Sequence, residues 1–248
     1  MPLLDGTTIL VTGAAHEGSI GDAIAARCVE EGAKVAITSR SLDAARAAAA
    51  RHGGSGHACD LTSDADAARA AREVLAAHGK VDGVVHNAGL PISAWERPFL
   101  DIPIEDFARA FDMDVLGAAR LTKALLPSMK ERGGALVFTS STAALAGYEF
   151  LHEFSPAKAG VLGLMRSLAA EMGRYNVRSN AVAYGNVSSP ATWETLDEAQ
   201  RTSLALESPM RRWGTPRDAA GAAVFLVSDL ASYVNGQTLV VDGGTVMR

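Results

Sequence analysis

Short runs of β-branched and aliphatic residues recur along the chain at 8–11, 34–38, 83–86, 135–138, 177–182 and 238–241, each separated from the next by a longer stretch. The runs are almost continuously apolar. A strand with one face in water would need a polar residue at every second position, so this pattern predicts strands covered on both faces, as in a parallel sheet. The stretches between them at 20–31, 42–50, 63–78, 104–131, 156–173 and 216–228 are largely Ala-rich, with apolar positions at helical spacing. Strands and helices in this order close into right-handed crossover units. The expected fold is α/β, a doubly wound parallel sheet of about seven strands with helices on both faces.

Nothing divides the chain. No Pro/Gly/Ser-rich linker, composition shift or internal repeat appears within the 248 residues, and that length suits one α/β domain spanning 1–248. Hydrophobic residues make up 48% and charged residues 21%, which places the chain among globular proteins rather than disordered ones. The net charge of -5, with no run of five like charges, leaves no basic patch for nucleic acid or an anionic membrane surface. No apolar stretch approaches the ~20 residues that span a bilayer, and residues 1–6 lack the basic and apolar regions of a signal peptide. A cytoplasmic location is expected. Cys28 and Cys59 are too few for a disulfide framework and are not spaced as a metal-binding pair, so two buried thiols and no metal site are expected.

The first predicted strand runs into Thr12-Gly13-Ala14-Ala15-His16-Glu17-Gly18-Ser19-Ile20-Gly21 and then into a helix. Glycines allow a tight turn and close backbone approach, while the helix N-terminus presents free N–H groups and a positive dipole end. A pyrophosphate fits such a turn, and its place after the first strand points to a Rossmann-type dinucleotide site with Gly13, Ser19 and Ile20 against the cofactor. After the second strand, Ser39-Arg40-Ser41 falls where the adenosine ribose would lie. An acidic residue there would hold a ribose hydroxyl, whereas Arg40 suits a 2′-phosphate, so NADP(H) is expected over NAD(H). The competing reading makes Arg40 a solvated cation at a strand end.

These features, with four further segments, resemble the short-chain dehydrogenase/reductase family over essentially the whole chain. Cys59-Asp60-Leu61 resembles its adenine-contacting strand end, and His86-Asn87-Ala88-Gly89 its Asn-Asn-Ala-Gly signature. The segments at 208–216 and 234–244 resemble its C-terminal signatures. The resemblance implies cofactor contacts from Asp60, Leu61, Asn87, Ala88, Gly89, Lys158, Gly185 and Val187. It also implies a catalytic group of Asn, Ser, Tyr and Lys, with the Tyr four residues before the Lys. Lys158 and Ser141 match that group. The tyrosine position holds Phe154, which has no proton to give, and the asparagine position holds Asp114.

The longer glycine turn, with Ser19-Ile20, resembles that of enoyl-acyl-carrier-protein reductases, and the segment at 112–117 resembles 2,4-dienoyl-CoA reductases, branches that depart from the Tyr-x-x-x-Lys arrangement. In the latter branch the aspartate at the position of Asp114 is catalytic, which makes Asp114 with Lys158 a candidate acid pair. A purely structural ion pair between them is the alternative. Tyr148 and His152, ten and six residues before Lys158, are further candidate donors, or else loop residues. Ser155-Pro156 reads as an N-cap followed by proline at the first helical position, leaving 148–154 as a loop. The segment at 188–207 resembles the family's substrate-covering region and suits a medium-sized apolar or acyl substrate.

The expected function is an NADP(H)-dependent oxidoreductase that transfers hydride to a carbonyl-conjugated C=C, or to a carbonyl, of an acyl thioester or similar small molecule. The alternatives are a 3-oxoacyl-type ketoreductase with a substitute donor, and a non-redox descendant acting on a biosynthetic intermediate. The resemblance also implies a homo-oligomer, a dimer or tetramer, formed through the helices at 104–131 and 156–173.

Overall fold

A computed structural model describes residues 2–90 and 97–247. Seven parallel strands form one sheet in the order β3-β2-β1-β4-β5-β6-β7. They are β1 Thr8–Thr12, β2 Lys34–Ser39, β3 Ser55–Ala58, β4 Gly83–His86, β5 Gly134–Ser141, β6 Val177–Tyr184 and β7 Thr238–Val241. The helices between them are α1 Ile20–Glu30, α2 Leu42–Arg51, α3 Asp64–His78, α4 Ile104–Phe111, α5 Gly117–Arg132, α6 Phe154–Met172, α7 Pro190–Trp193, α8 Glu198–Glu207 and α9 Pro216–Val227.

Side chains of β1 divide between two cores. Ile9 and Val11 pack with apolar residues of α1, α2 and α9 on one face. Leu10 packs with those of α3, α5 and α6 on the other. Covering on both sides is why these strands read as unbroken apolar runs. β3 escapes that rule. Its sequence, Ser-Gly-His-Ala, carries no apolar run, and as an edge strand it pairs with β2 alone, so pairing rather than burial makes it a strand.

Two expectations are corrected. The stretch 104–131 is not one helix, since a π-helical turn at Asp112–Leu116 separates α4 from α5. The wider turn accommodates an extra residue and turns the Asp114 side chain inward, a device that recurs at functional sites. Helix α6 starts at Phe154, so Ser155 is not its N-cap and Pro156 stands third in the helix. That place suits proline, because the first four N–H groups of a helix have no intrahelical acceptor. The Ser155 hydroxyl is buried with no hydrogen-bond partner among the described residues. The segment at 188–207 carries α7 and α8, the latter opened by a capping box between Asp197 and Gln200.

Connections leave β1 and β4 toward opposite edges of the sheet, so a crevice opens above their C-terminal ends, where open α/β sheets place ligands.

Candidate active site

The ends of β1 and β4 are stitched together. Thr12 Oγ1 accepts from the backbone N–H groups of Asn87 and Ala88, both at 3.0 Å. Asn87 Nδ2 donates to the carbonyls of Thr12 at 3.3 Å and Gly13 at 3.2 Å. Gly13 has φ +69°, and a Cβ there would lie 2.7 Å from Ala88 Cα. A Cβ on Gly21 would lie 2.5 Å from the Gly13 carbonyl oxygen. Only glycine lets the turn fold this closely over the helix start. Ser19 caps α1 by accepting from Asp22 N–H at 3.2 Å, and the N–H groups of Ile20 and Gly21 belong to the first turn, free of intrahelical acceptors. This cradle fits the pyrophosphate of a dinucleotide: Gly13, Ser19, Ile20, Asn87 and Ala88 come together at one crevice.

Arg40 is exposed beyond β2, and Ser41 is committed to capping α2. The hydroxyl and N–H of Thr62 hold the Asp60 carboxyl below the usual carboxylate range, with the Arg40 charge a smaller contributor. Leu61 is buried beside it. Arg120 joins this region to the π-turn. It donates to the Leu61 carbonyl at 3.1 Å and to Asp112 Oδ1 at 2.7 Å, an anchor no local motif announces.

Asp114 and Lys158 meet below this crevice. Asp114 Oδ2 lies 3.0 Å from Lys158 Nζ, and both side chains are buried, at 4% and 7% exposure. Asp114 Oδ1 has no hydrogen-bond partner among the described residues. A Cβ on Gly89 would lie 2.9 Å from that oxygen and 3.0 Å from Nζ, so Gly89 makes room for the pair at the end of β4. The Phe154 ring centroid is 5.5 Å from Nζ. Ser140 donates to the Lys158 carbonyl at 3.0 Å, which fixes α6 against the end of β5. Ser141 Oγ accepts from Ala143 N–H at 3.1 Å. A hydroxyl used as an acceptor still has its proton to donate.

The other two candidate donors separate. The Tyr148 ring packs in the small cluster that contains Phe154, and its hydroxyl donates to Thr142 Oγ1 at 3.4 Å. His152 instead stands edge-on to Phe99, 5.3 Å between ring centroids. Beside Phe154, the buried Glu153 pairs with Arg97 at 3.0 Å, and Arg97 also pairs with Asp106 on α4. Sequence reasoning missed this triad, because its members are spread over three segments with no shared motif. Gly185 touches Asp242, where a Cβ would come within 2.5 Å of that side chain, and the buried Val187 bridges to Gly214. Tyr184, beside Gly185, is spent on structure: its buried hydroxyl donates to the Ala219 carbonyl at 3.1 Å, and burial pushes its ionisation up.

Burial also pushes the Cys28 thiol up to about 12 and the Cys59 thiol up to about 11, so both stay protonated and unreactive. Among the described residues, no cluster of three His, Cys, Asp or Glu side chains is placed to hold a metal, and no helix is long and apolar enough to cross a membrane.

A family model described as Enoyl-(Acyl carrier protein) reductase matches residues 13–246. The chain is 38% identical to an L-rhamnose 1-dehydrogenase (NAD(P)(+)) of Azotobacter vinelandii, over 98% of this chain and 97% of that protein. It is 35% identical to a 2,5-dichloro-2,5-cyclohexadiene-1,4-diol dehydrogenase of Sphingobium indicum, over 97% of each. It is also 33% identical to the 7alpha-hydroxysteroid dehydrogenase of Escherichia coli, over 99% and 96%. A crystal structure from Burkholderia xenovorans, described as a short-chain dehydrogenase/reductase, superposes with a TM-score of 0.90 at 33% identity, covering 99% of this chain and 98% of that one.

Proposed function

Because the chain belongs to the short-chain dehydrogenase/reductase family and is, with its relatives, an NAD(P)-dependent oxidoreductase, we propose that it transfers hydride to a small apolar molecule, using Asp114 and Lys158 where its family uses a tyrosine. The favoured substrate class is a C=C conjugated to a carbonyl, as in a 2-enoyl or 2,4-dienoyl thioester. The bound nicotinamide coenzyme supplies the hydride.

The observation that carries this reading is the buried Asp114–Lys158 pair with one carboxylate oxygen left unpartnered. Hydride addition to a conjugated C=C builds negative charge on the carbonyl oxygen and leaves a carbon to be protonated. The Ser141 hydroxyl is free to donate toward such an oxygen, and the Lys158 ammonium adds positive charge nearby. The Lys158 ammonium, 3.0 Å from Asp114 Oδ2, is the proton source: a water held by Oδ1 gives a proton to the carbon and takes one back from Nζ, leaving a neutral amine. Tyr148, whose ring shares the Phe154 cluster, is the second-choice donor, and His152 the third. Reducing a simple carbonyl instead calls for an acid aimed at oxygen, which the phenyl ring of Phe154 removes. One observation favours a second reading: the relatives named above act on a sugar, a diol and a steroid alcohol, so carbinol oxidation or carbonyl reduction with a substitute donor is the alternative.

The test is nicotinamide absorbance with 2-enoyl, 2,4-dienoyl and 3-oxoacyl thioesters, and with carbinols in the reverse direction. Turnover of the 3-oxo compound or the carbinols alone overturns the C=C reading, and product formation without absorbance change favours non-redox chemistry. NADP(H) preference rests on the exposed Arg40, so Arg40→Asp should shift preference toward NADH by roughly ten-fold or more in Kd. An unaltered preference removes Arg40 from the phosphate site. The proposal extends to a cytoplasmic homo-oligomer. The groove between α5 and α6, where Leu126, Leu164, Leu168 and Met172 lie among Lys123, Lys130 and Glu171, supports the homo-oligomer, and sedimentation would report the oligomeric state.

A further inference from the structure

Asp22 is an unexpected residue to find beside a phosphate-binding turn. It is the third residue of α1, it is buried, and it bears negative charge where the site must receive a polyanion. Its oxygens are fully engaged. Oδ2 accepts from Gly18 N–H, in the turn itself, at 3.0 Å. Oδ1 accepts from Arg51 Nη2 and lies beside His52 Nε2, both at 2.9 Å, and these two residues come from the far end of α2. Arg51 reaches further, donating to the carbonyl of Ala15 in the same turn at 3.3 Å. Burial pushes the Asp22 carboxyl up, but the bonds from Arg51, His52 and Gly18 outweigh it and hold the group below the usual carboxylate range.

We propose that Arg51 is a positioning residue of the coenzyme site: it cancels the Asp22 charge and, through Asp22 and Ala15, clamps the phosphate turn in its binding shape. The assignment rests on the dinucleotide reading of the 12–21 turn. Its logic is electrostatic. A lone carboxylate within a few ångströms of the turn repels a pyrophosphate, and the guanidinium bridging Asp22 to Ala15 removes that repulsion while fixing the backbone. Neither residue needs to touch the coenzyme. His52 supports the same oxygen from a second direction.

The consequence is a reversal between two substitutions, which a merely structural contact would not produce. Arg51→Gln leaves Asp22 without its guanidinium partner and should raise the Kd for NADPH about ten-fold. Adding Asp22→Asn removes the charge but keeps an amide oxygen for Gly18, so the double variant should recover to within about three-fold of the unaltered chain. Arg51→Lys, which keeps the charge, should bind nearly normally. The measurement is direct NADPH fluorescence titration, with the melting temperature followed in parallel. Equal Kd values for the unaltered chain and Arg51→Gln overturn the inference, as does a double variant no better than Arg51→Gln. Failure of the unaltered chain to bind NADPH or NADH overturns the dinucleotide reading itself.

Discussion

Asp114 and Lys158 concentrate the argument at the scale of single residues. Each is a charge taken out of water, and each is tolerable there because the other stands 3.0 Å away. Removing one partner of such a pair is costly, because the remaining charge stays buried alone. Asp114→Asn preserves size and should destabilise the fold by about 3 kcal/mol in urea unfolding. It should also lower kcat about 100-fold at saturating coenzyme, the scale of a lost acid–base group. A full rate across the pH range would reduce the pair to structure. Phe154 poses the complementary experiment. Its ring sits 5.5 Å from Nζ, so Phe154→Tyr places a phenol beside the ammonium, the arrangement the family resemblance implies. New 3-oxoacyl reduction is the expected gain, and its absence means that substrate does not sit over position 154.

At the scale of elements, the site is made by turns and by the ends of strands. The 12–21 turn closes because Gly13 adopts φ +69° against Ala88. Gly13→Ala should cost about 1–2 kcal/mol from backbone conformation alone, with the clash at Ala88 adding to it. Calorimetry should record a lower melting temperature, and titration should record weaker coenzyme binding; a variant matching the parent in both would mean that the turn relaxes freely. The π-turn at Asp112–Leu116 makes a different point. Its sequence, Asp-Met-Asp-Val-Leu, holds no glycine or proline to interrupt a helix, which is why 104–131 reads as one element. What selects the wide turn is tertiary: Arg120 gripping Asp112 from one side, and Lys158 taking Asp114 from the other. Ser155-Pro156 misleads for a related reason. A cap followed by proline is a local signal, but packing of Phe154 and Ala157 into the cluster beside the site starts the helix earlier.

At the scale of the whole molecule, His86 ties global stability to pH. It lies wholly inside, stacked on Phe138 at 4.7 Å and bonded to Thr122 at 2.8 Å, and burial pushes its ionisation down to about 3 from an ordinary value near 6.5. Between those values the unfolded chain binds a proton that the folded chain does not. Stability therefore falls as pH drops below about 6.5 and goes on falling toward 3, by about 1.4 kcal/mol for each pH unit from this residue. His86→Asn should flatten the dependence of the urea midpoint on pH between 7 and 5, while an equally steep dependence would place the titrating group elsewhere. The sheet apart from β3, its helices on both faces and the glycine turn were legible in the sequence, because each depends on a local pattern: continuous apolar runs, helical spacing, and glycines between a strand and a helix. The identities at 114, 141, 154 and 158 were legible too, as matches and departures in register. Three things depended on the tertiary structure: that Asp114 reaches Lys158, that Tyr148 shares the Phe154 cluster while His152 turns to Phe99, and that Arg51 meets Asp22 beneath the turn. Those contacts join segments far apart in the chain. Their geometry is settled by how helices pack on the sheet, which no local pattern encodes.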